Sequence, residues 1–241
     1  MLTRAARTAG DAVDWLRPRL ASLRWSRLSW AGKSLVAGAL LSVLWMEYTR
    51  PGLDERLVVD GLIFFVGPMT LATYYGKQIG YKVDRVAVRN ALLLALFVAP
   101  FYVVGSSLQS IRLYYPMWET STQLQDFVPH AIKQFLLVLA VETYYRGLLC
   151  VGVGDRFGIK AAFISPVVYA LHHLAKPPIE ILLSGPTDVL FGAVDYKSDS
   201  LLPSVVAHGA GLVLLDWLVL HDPIVPPDTV YRWLEWVPVP L

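Results

Sequence analysis

The 241-residue sequence is 55% hydrophobic and 17% charged, with a formal net charge of +2 and a mean hydropathy of +0.49. Soluble domains carry about 25% charged residues, so a soluble globular class is excluded, and the near-neutral balance points away from nucleic-acid binding. One cysteine, Cys150, excludes an intramolecular disulfide and a cysteine-rich metal site.

Residues 1–33 hold Arg4, Arg7, Arg17, Arg19, Arg24, Arg27 and Lys33, with Val13, Trp15, Leu16, Leu20, Leu23 and Trp25 among them. This pattern suits a basic amphipathic segment drawn to the anionic inner leaflet; a positive lead that only sets topology is the plainer alternative. It does not read as a cleavable signal peptide, because no short apolar core followed by small residues precedes position 34. Apolar runs then follow at 34–49, 57–75, 89–106, 127–150, 158–175, 179–195 and 201–220. A membrane-crossing helix needs roughly 20 such residues, and none of the runs alternates as a barrel strand would.

The expected fold is therefore all-α, a polytopic membrane helix bundle of about seven transmembrane helices. Lys77, Lys82, Arg85 and Arg89 surround the second connection, and Arg156 and Lys160 lie in the fourth. Together with the basic first segment, they place the N-terminus in the cytoplasm. One domain is expected, with three scaffold spans in 34–126, a four-helix core in 127–220 and a tail at 221–241 whose tryptophans suit the interface. Composition suggests a multi-pass protein of the bacterial inner (plasma) membrane.

Ionisable residues at membrane depth are costly, so each one is a functional candidate. The first three runs hold almost none, with Glu47 and Asp60 near their ends. The last four hold Lys133, Glu142, Arg146, His172, His173, Asp188, His208 and Asp216. Glu142 and Arg146 are four residues apart and share a helix face, and Gly147 leaves room for a close approach. Tyr169 and His173 also share a face, with His172 turned about 100° away. His208 lies beside Gly209 in a stretch of small residues that suits close helix packing. Ser184 to Asp188 read as a break in the sixth run.

A carboxylate in a poorly solvated pocket can act as a base toward water, and an imidazole can hold that water or donate to an oxyanion. Such machinery has no covalent nucleophile, and no Gly-x-Ser-x-Gly turn is present. No His-Glu-x-x-His spacing appears either, so neither a metal nor a cofactor is expected.

In order and spacing, "ETYYRGLL", "VVYALHHL" and "LFGAVDYKSDSLLPSVVAHGAGLVLLDWL" resemble the CAAX prenyl endopeptidase and bacteriocin-processing family of intramembrane glutamic proteases. The likeness covers about 127–220. It implies that Glu142 falls on the second glutamate of a Glu-Glu-x-x-x-Arg motif and Arg146 on its arginine. It also implies that His173 belongs to a Phe-x-x-x-His motif, with Tyr169 at the Phe position, and that His208 opens the last motif. By resemblance, the glutamate and His173 activate water, and His208 stabilises the oxyanion. Arg146, Tyr169 and Asp188 support them.

The chain departs from the family at Val141, where the first glutamate stands, and at Leu212, where the final Asn stands. The expected activity is peptide-bond hydrolysis beside the membrane, on a protein or peptide substrate with a membrane-associated segment. Two alternatives are an inactive family member serving as a membrane binding or immunity module, and a proton-coupled transporter.

Overall fold

A computed structural model describes residues 25–241, and every regular element among them is helical. Residues 1–24 of the expected N-terminal segment lie outside the described residues. A short 3-10 turn at Trp25–Arg27 leads into α1, Trp30–Tyr48. The Ser29 hydroxyl accepts from the Gly32 N–H and so fills one of the donors a helix start leaves unpaired. A rod follows from α2 (Leu53–Asp60) through a π-helical segment, π1 (Gly61–Val66), to α3 (Gly67–Tyr74). Next is α4 (Arg85–Gly105), started by Asp84, whose carboxylate accepts from the Ala87 N–H. A single turn, α5 (Gln109–Arg112), closes the N-terminal half.

The C-terminal half begins with α6 (Leu124–Glu142), which widens into a second π-helical segment, π2 (Thr143–Leu148). Short turns at Val151–Val153, α7 (Gly154–Phe157) and Gly158–Phe163 lead to α8 (Ser165–His172). Then come α9 (Pro178–Ser198), α10 (Leu202–Val219) and α11 (Pro227–Leu234). In the tail, Val230 is buried against Leu108, Ile111 and Tyr115, while Trp233 and Trp236 are exposed.

Among the described residues, four helical stretches are long and apolar enough to cross a membrane: Leu53–Tyr74, Arg85–Gly105, Leu124–Phe163 and Leu202–Val219. Two more, α1 with 19 residues and α9 with 21, have the length but carry charges that lower their hydropathy. In α1 these are Lys33 and Glu47; in α9 they are Glu180, Asp188, Asp195 and Lys197.

Three expectations are revised. The run at 158–175 is not one long helix but a 3-10 segment joined to the eight-residue α8. Pro166, lacking an N–H, suits only the first turn of a helix. The sixth run is not broken at Ser184–Asp188, because α9 continues through Pro186. There the Ser184 hydroxyl donates to the Ile181 carbonyl at 2.7 Å, the kind of local side-chain bond that lets a membrane helix tolerate proline. Asp60 is not at a margin but wholly buried within the Leu53–Tyr74 rod. It accepts from Trp45 Nε1 at 2.7 Å and Arg56 Nη2 at 2.9 Å.

Burial locates the core. In Leu124–Phe163 the apolar window is 78% buried, against 22% in each of Leu53–Tyr74 and Arg85–Gly105. The N-terminal rods thus turn most of their apolar surface outward, as lipid-facing helices do, and the interior belongs to α6 and its partners. At its centre α10 packs on α4 and α6. Two glycines make this possible: a Cβ on Gly209 would strike the Phe135 ring of α6, and one on Gly211 the Tyr102 ring of α4. Asp195 of α9 accepts from the Ser204 N–H at 3.1 Å and caps the start of α10.

Candidate active site

Matching stripes run along the antiparallel pair α6 and α10. His130, Gln134, Val138, Glu142 and Arg146 step four residues at a time along α6 and into π2. Ser204, His208, Leu212 and Asp216 do the same on α10. Residues four apart share a face, so pairing the helices brings polar side chains opposite one another at two levels.

At the first level Glu142 is the last residue of α6 before π2 begins. Single π turns inside helices are frequent at functional sites. Glu142 Oε1 accepts from His208 Nδ1 at 2.5 Å, and Oε2 lies 3.1 Å from Arg146 Nε. Arg146 Nη2 is 2.7 Å from Asp188 Oδ1, and the Ser165 hydroxyl donates to Asp188 Oδ2 at 2.5 Å. Neither arginine contact has hydrogen-bond alignment, so charge and aromatic rings hold the guanidinium. Its carbon is 4.8 Å from the Tyr169 ring centre and 5.6 Å from those of Tyr145 and Phe191, within cation–π range. Gly147 admits the Ile79 carbonyl, which a Cβ would meet at 3.1 Å.

His173 enters from the end of α8. Its Nδ1 donates to the Tyr169 carbonyl at 2.8 Å, and its ring stacks on Tyr169 at 3.9 Å. No hydrogen bond or ion pair among the described residues joins His173 to Glu142 or His208; the link runs through Tyr169 and Arg146. The expected cluster is therefore assembled in two parts: Glu142, Arg146, Asp188 and His208 in direct contact, and His173 one aromatic ring away. Exposure separates the roles. Glu142, Arg146 and Asp188 are 0% exposed, whereas the His173 and His208 side chains are each 14% exposed.

The neighbouring His172 faces away. Its Nδ1 lies 2.5 Å from the Tyr145 hydroxyl and its Nε2 2.7 Å from that of Ser42, and its ring is 4.4 Å from Trp45. It fastens α8 to α1. The two departures from the resembled motifs are packed as apolar residues: Val141 lies against the Phe64, Tyr144 and Tyr145 cluster, and Leu212 against that of Leu108, Ile111 and Leu215.

At the second level, sequence reasoning named Asp216 as a candidate but missed its partners His130 and Gln134. His130 Nε2 lies 2.7 Å from Asp216 Oδ2, to which Gln134 Nε2 donates at 2.8 Å. His130 also lines a cleft of about 560 Å³ between α2, α6 and the loop around Trp118. The four-residue spacing from His130 to Arg146 was the available signal. Asp195 and Glu180 were missed as well, because each acts across a turn rather than along one helix. Among the described residues no cluster of three or more His, Cys, Asp or Glu side chains suits a metal ion.

Over residues 125–212 the sequence matches the family described as Type II CAAX prenyl endopeptidase Rce1-like. The match spans 88 of the 241 residues, so it is a similarity of this segment to that family. The Rce1-like segment holds every side chain of the first-level cluster and His173, and it ends at Leu212. The match supports the resemblance seen in the motifs, and it lies beside helices long and apolar enough to cross a membrane. No curated protein and no solved structure matches the chain.

Proposed function

We propose that the chain is an intramembrane endopeptidase of the CAAX type, which hydrolyses a peptide bond of a prenylated or otherwise membrane-associated substrate with imidazole-activated water. The observation that carries this reading is the 2.5 Å contact between Glu142 and His208, made between α6 and α10 inside the Rce1-like segment. With Nδ1–H directed at a carboxylate, His208 has a fixed ring orientation, and its other nitrogen is free for substrate. With a proton on Nε2 as well, the ring donates to a developing oxyanion. His173 is the base that takes a proton from water. Arg146 is the counter-charge that lets Glu142 and Asp188 coexist without solvent, a structural role.

The remaining topology belongs to the same reading. Seven crossings follow when the Leu124–Phe163 stretch is divided after π2, so that the Gly158–Phe163 turn and α8 cross back beside α1, α9 and the other three apolar helices. The end with Lys77, Lys82, Arg85, Arg156 and Lys160 faces the cytoplasm by the positive-inside rule. The membrane is a bacterial inner membrane.

A test is direct: purified protein in liposomes is given a farnesylated peptide ending in a CaaX sequence. Wild type is expected to release the C-terminal fragment, and His173→Ala and His208→Ala are expected to lower release by at least about 10². A second reading, a binding module that keeps the fold without the chemistry, is favoured by the apolar packing of Val141 and Leu212. It predicts that the double His variant still retains the peptide in a pull-down and that wild type never cleaves it.

A further inference from the structure

Opposite His173, on the first turn of α9, stands a carboxylate that the resembled motifs do not contain. Glu180 Oε1 lies 4.0 Å from His173 Nε2. Glu180 is held on its other sides: the Tyr115 hydroxyl donates to both of its oxygens at 2.9 and 3.0 Å, and Lys176 Nζ is 2.9 Å from Oε1. Lys176 also donates to the Tyr115 oxygen at 2.6 Å. With the Tyr115 hydroxyl donating to both oxygens and the Lys176 ammonium beside Oε1, Glu180 acts as an acceptor.

His173 is an acceptor at the same gap. Its Nδ1 proton is committed to the Tyr169 carbonyl, which in the neutral ring leaves Nε2 with a lone pair. Two acceptors facing each other at 4.0 Å do not bond directly. One water oxygen donating a proton to each, at about 2.8 Å per bond, spans that distance. With both protons engaged, a lone pair on that oxygen points away from both holders. Both side chains are partly exposed, at 14% and 23%, so the position is open to solvent.

We propose that Glu180 is a further catalytic residue, which with His173 Nε2 holds and orients the attacking water in place of the first motif glutamate that Val141 lacks. The proposal rests on the protease reading above. The water oxygen forms a bond to the scissile carbonyl carbon, the carbonyl electron pair moves to its oxygen, and one water proton passes to His173 Nε2. Collapse of the tetrahedral intermediate breaks the C–N bond, and His173 returns the proton to the leaving amine, giving a carboxylic acid and an amine. Glu180 takes no part in redox or covalent chemistry; it orients the water and stabilises the imidazolium while that exists.

The experiment pairs an activity with a spectroscopic readout. In liposomes with the farnesylated CaaX peptide, Glu180→Gln is expected to lower kcat by about 10² or more with KM within twofold. The Glu180→Gln/His173→Ala double variant is expected to lose no more than the worse single one, as residues acting as a unit do. Tyr115→Phe, which keeps the carboxylate but loosens it, is expected to fall between wild type and Glu180→Gln. Separately, in protein carrying ¹⁵N-labelled histidine, the His173 titration midpoint is expected to drop by about one pH unit in Glu180→Gln, because a nearby anion has been removed. Activity of Glu180→Gln within twofold of wild type, multiplicative losses in the double variant, or an unmoved His173 midpoint would overturn the proposal. If wild type cleaves nothing, the protease reading fails, while the histidine titration still decides whether Glu180 and His173 are coupled.

Discussion

The α6–α10 pair carries two polar clusters about 12 Å apart along α10, two helical turns from His208 to Asp216, and they are built to different standards. The cluster around Glu142 has two carboxylates, one guanidinium and one imidazole, and it recruits Ser165 and Tyr169 of α8 and Asp188 and Phe191 of α9. The cluster around Asp216 draws only on α6. Both clusters leave buried polar atoms without hydrogen-bond partners among the described residues: His130 Nδ1, Gln134 Oε1 and Asp216 Oδ1 here, and Glu142 Oε2, Asp188 Oδ1 and the Arg146 nitrogens in the other. Val138 and Leu212 occupy the step of the stripe between the two clusters. Buried charge alone therefore does not mark a site on this helix pair. Connection to partly exposed imidazoles, on helices beyond the pair, does.

Removing the hub should separate the clusters most sharply. Arg146→Met leaves Glu142 and Asp188 buried without a cation, and breaking such a pair costs about 3–5 kcal/mol. Unfolding in detergent should show that loss, together with abolished peptide release; unchanged stability would mean that the first cluster is not held by its charges. Next in size, His208→Ala should cut turnover by about 10²–10³ with a smaller stability loss than Arg146→Met, read from kinetics and unfolding on the same preparation. Asp216→Asn should do the reverse. Unfolding should register about 1–3 kcal/mol from a disturbed buried hydrogen bond, with turnover within about threefold of wild type. A larger loss of turnover would merge the two clusters into one functional unit. The smallest effect is expected from Leu212→Asn, which returns an amide donor one turn beyond His208. Turnover should rise by about threefold to tenfold, below the value of a fully preorganised donor, because Leu212 packs among apolar side chains.

Legibility in the sequence followed the range of the interactions. Glu142 and Arg146 were readable as a pair because one helix turn separates them, and the apolar runs marked helices because hydropathy is a local property. Arg146 was read from sequence as a supporting residue on the face of Glu142, but its second anion, Asp188, was visible only as a candidate, since a cross-helix ion pair has no spacing signature. His172 and His173 could not be told apart. Their division depends on Ser42 and Trp45, about 130 positions earlier in the chain. The two π segments left no mark either; they face each other where Phe64 stacks on Tyr144 at 4.4 Å, a contact between residues 80 positions apart that no local pattern announces. Glu180 escaped notice because it faces His173 across the Lys-Pro-Pro turn.

Hydrolysis in ¹⁸O-labelled water tests the central assignment most directly. Purified wild-type protein in liposomes, given the farnesylated peptide, is predicted to place one ¹⁸O in the newly formed carboxylate, and His173→Ala and His208→Ala are each predicted to slow that incorporation by about 10² or more. Incorporation at the wild-type rate in both variants, or a wild-type protein that leaves the peptide intact, would contradict the account.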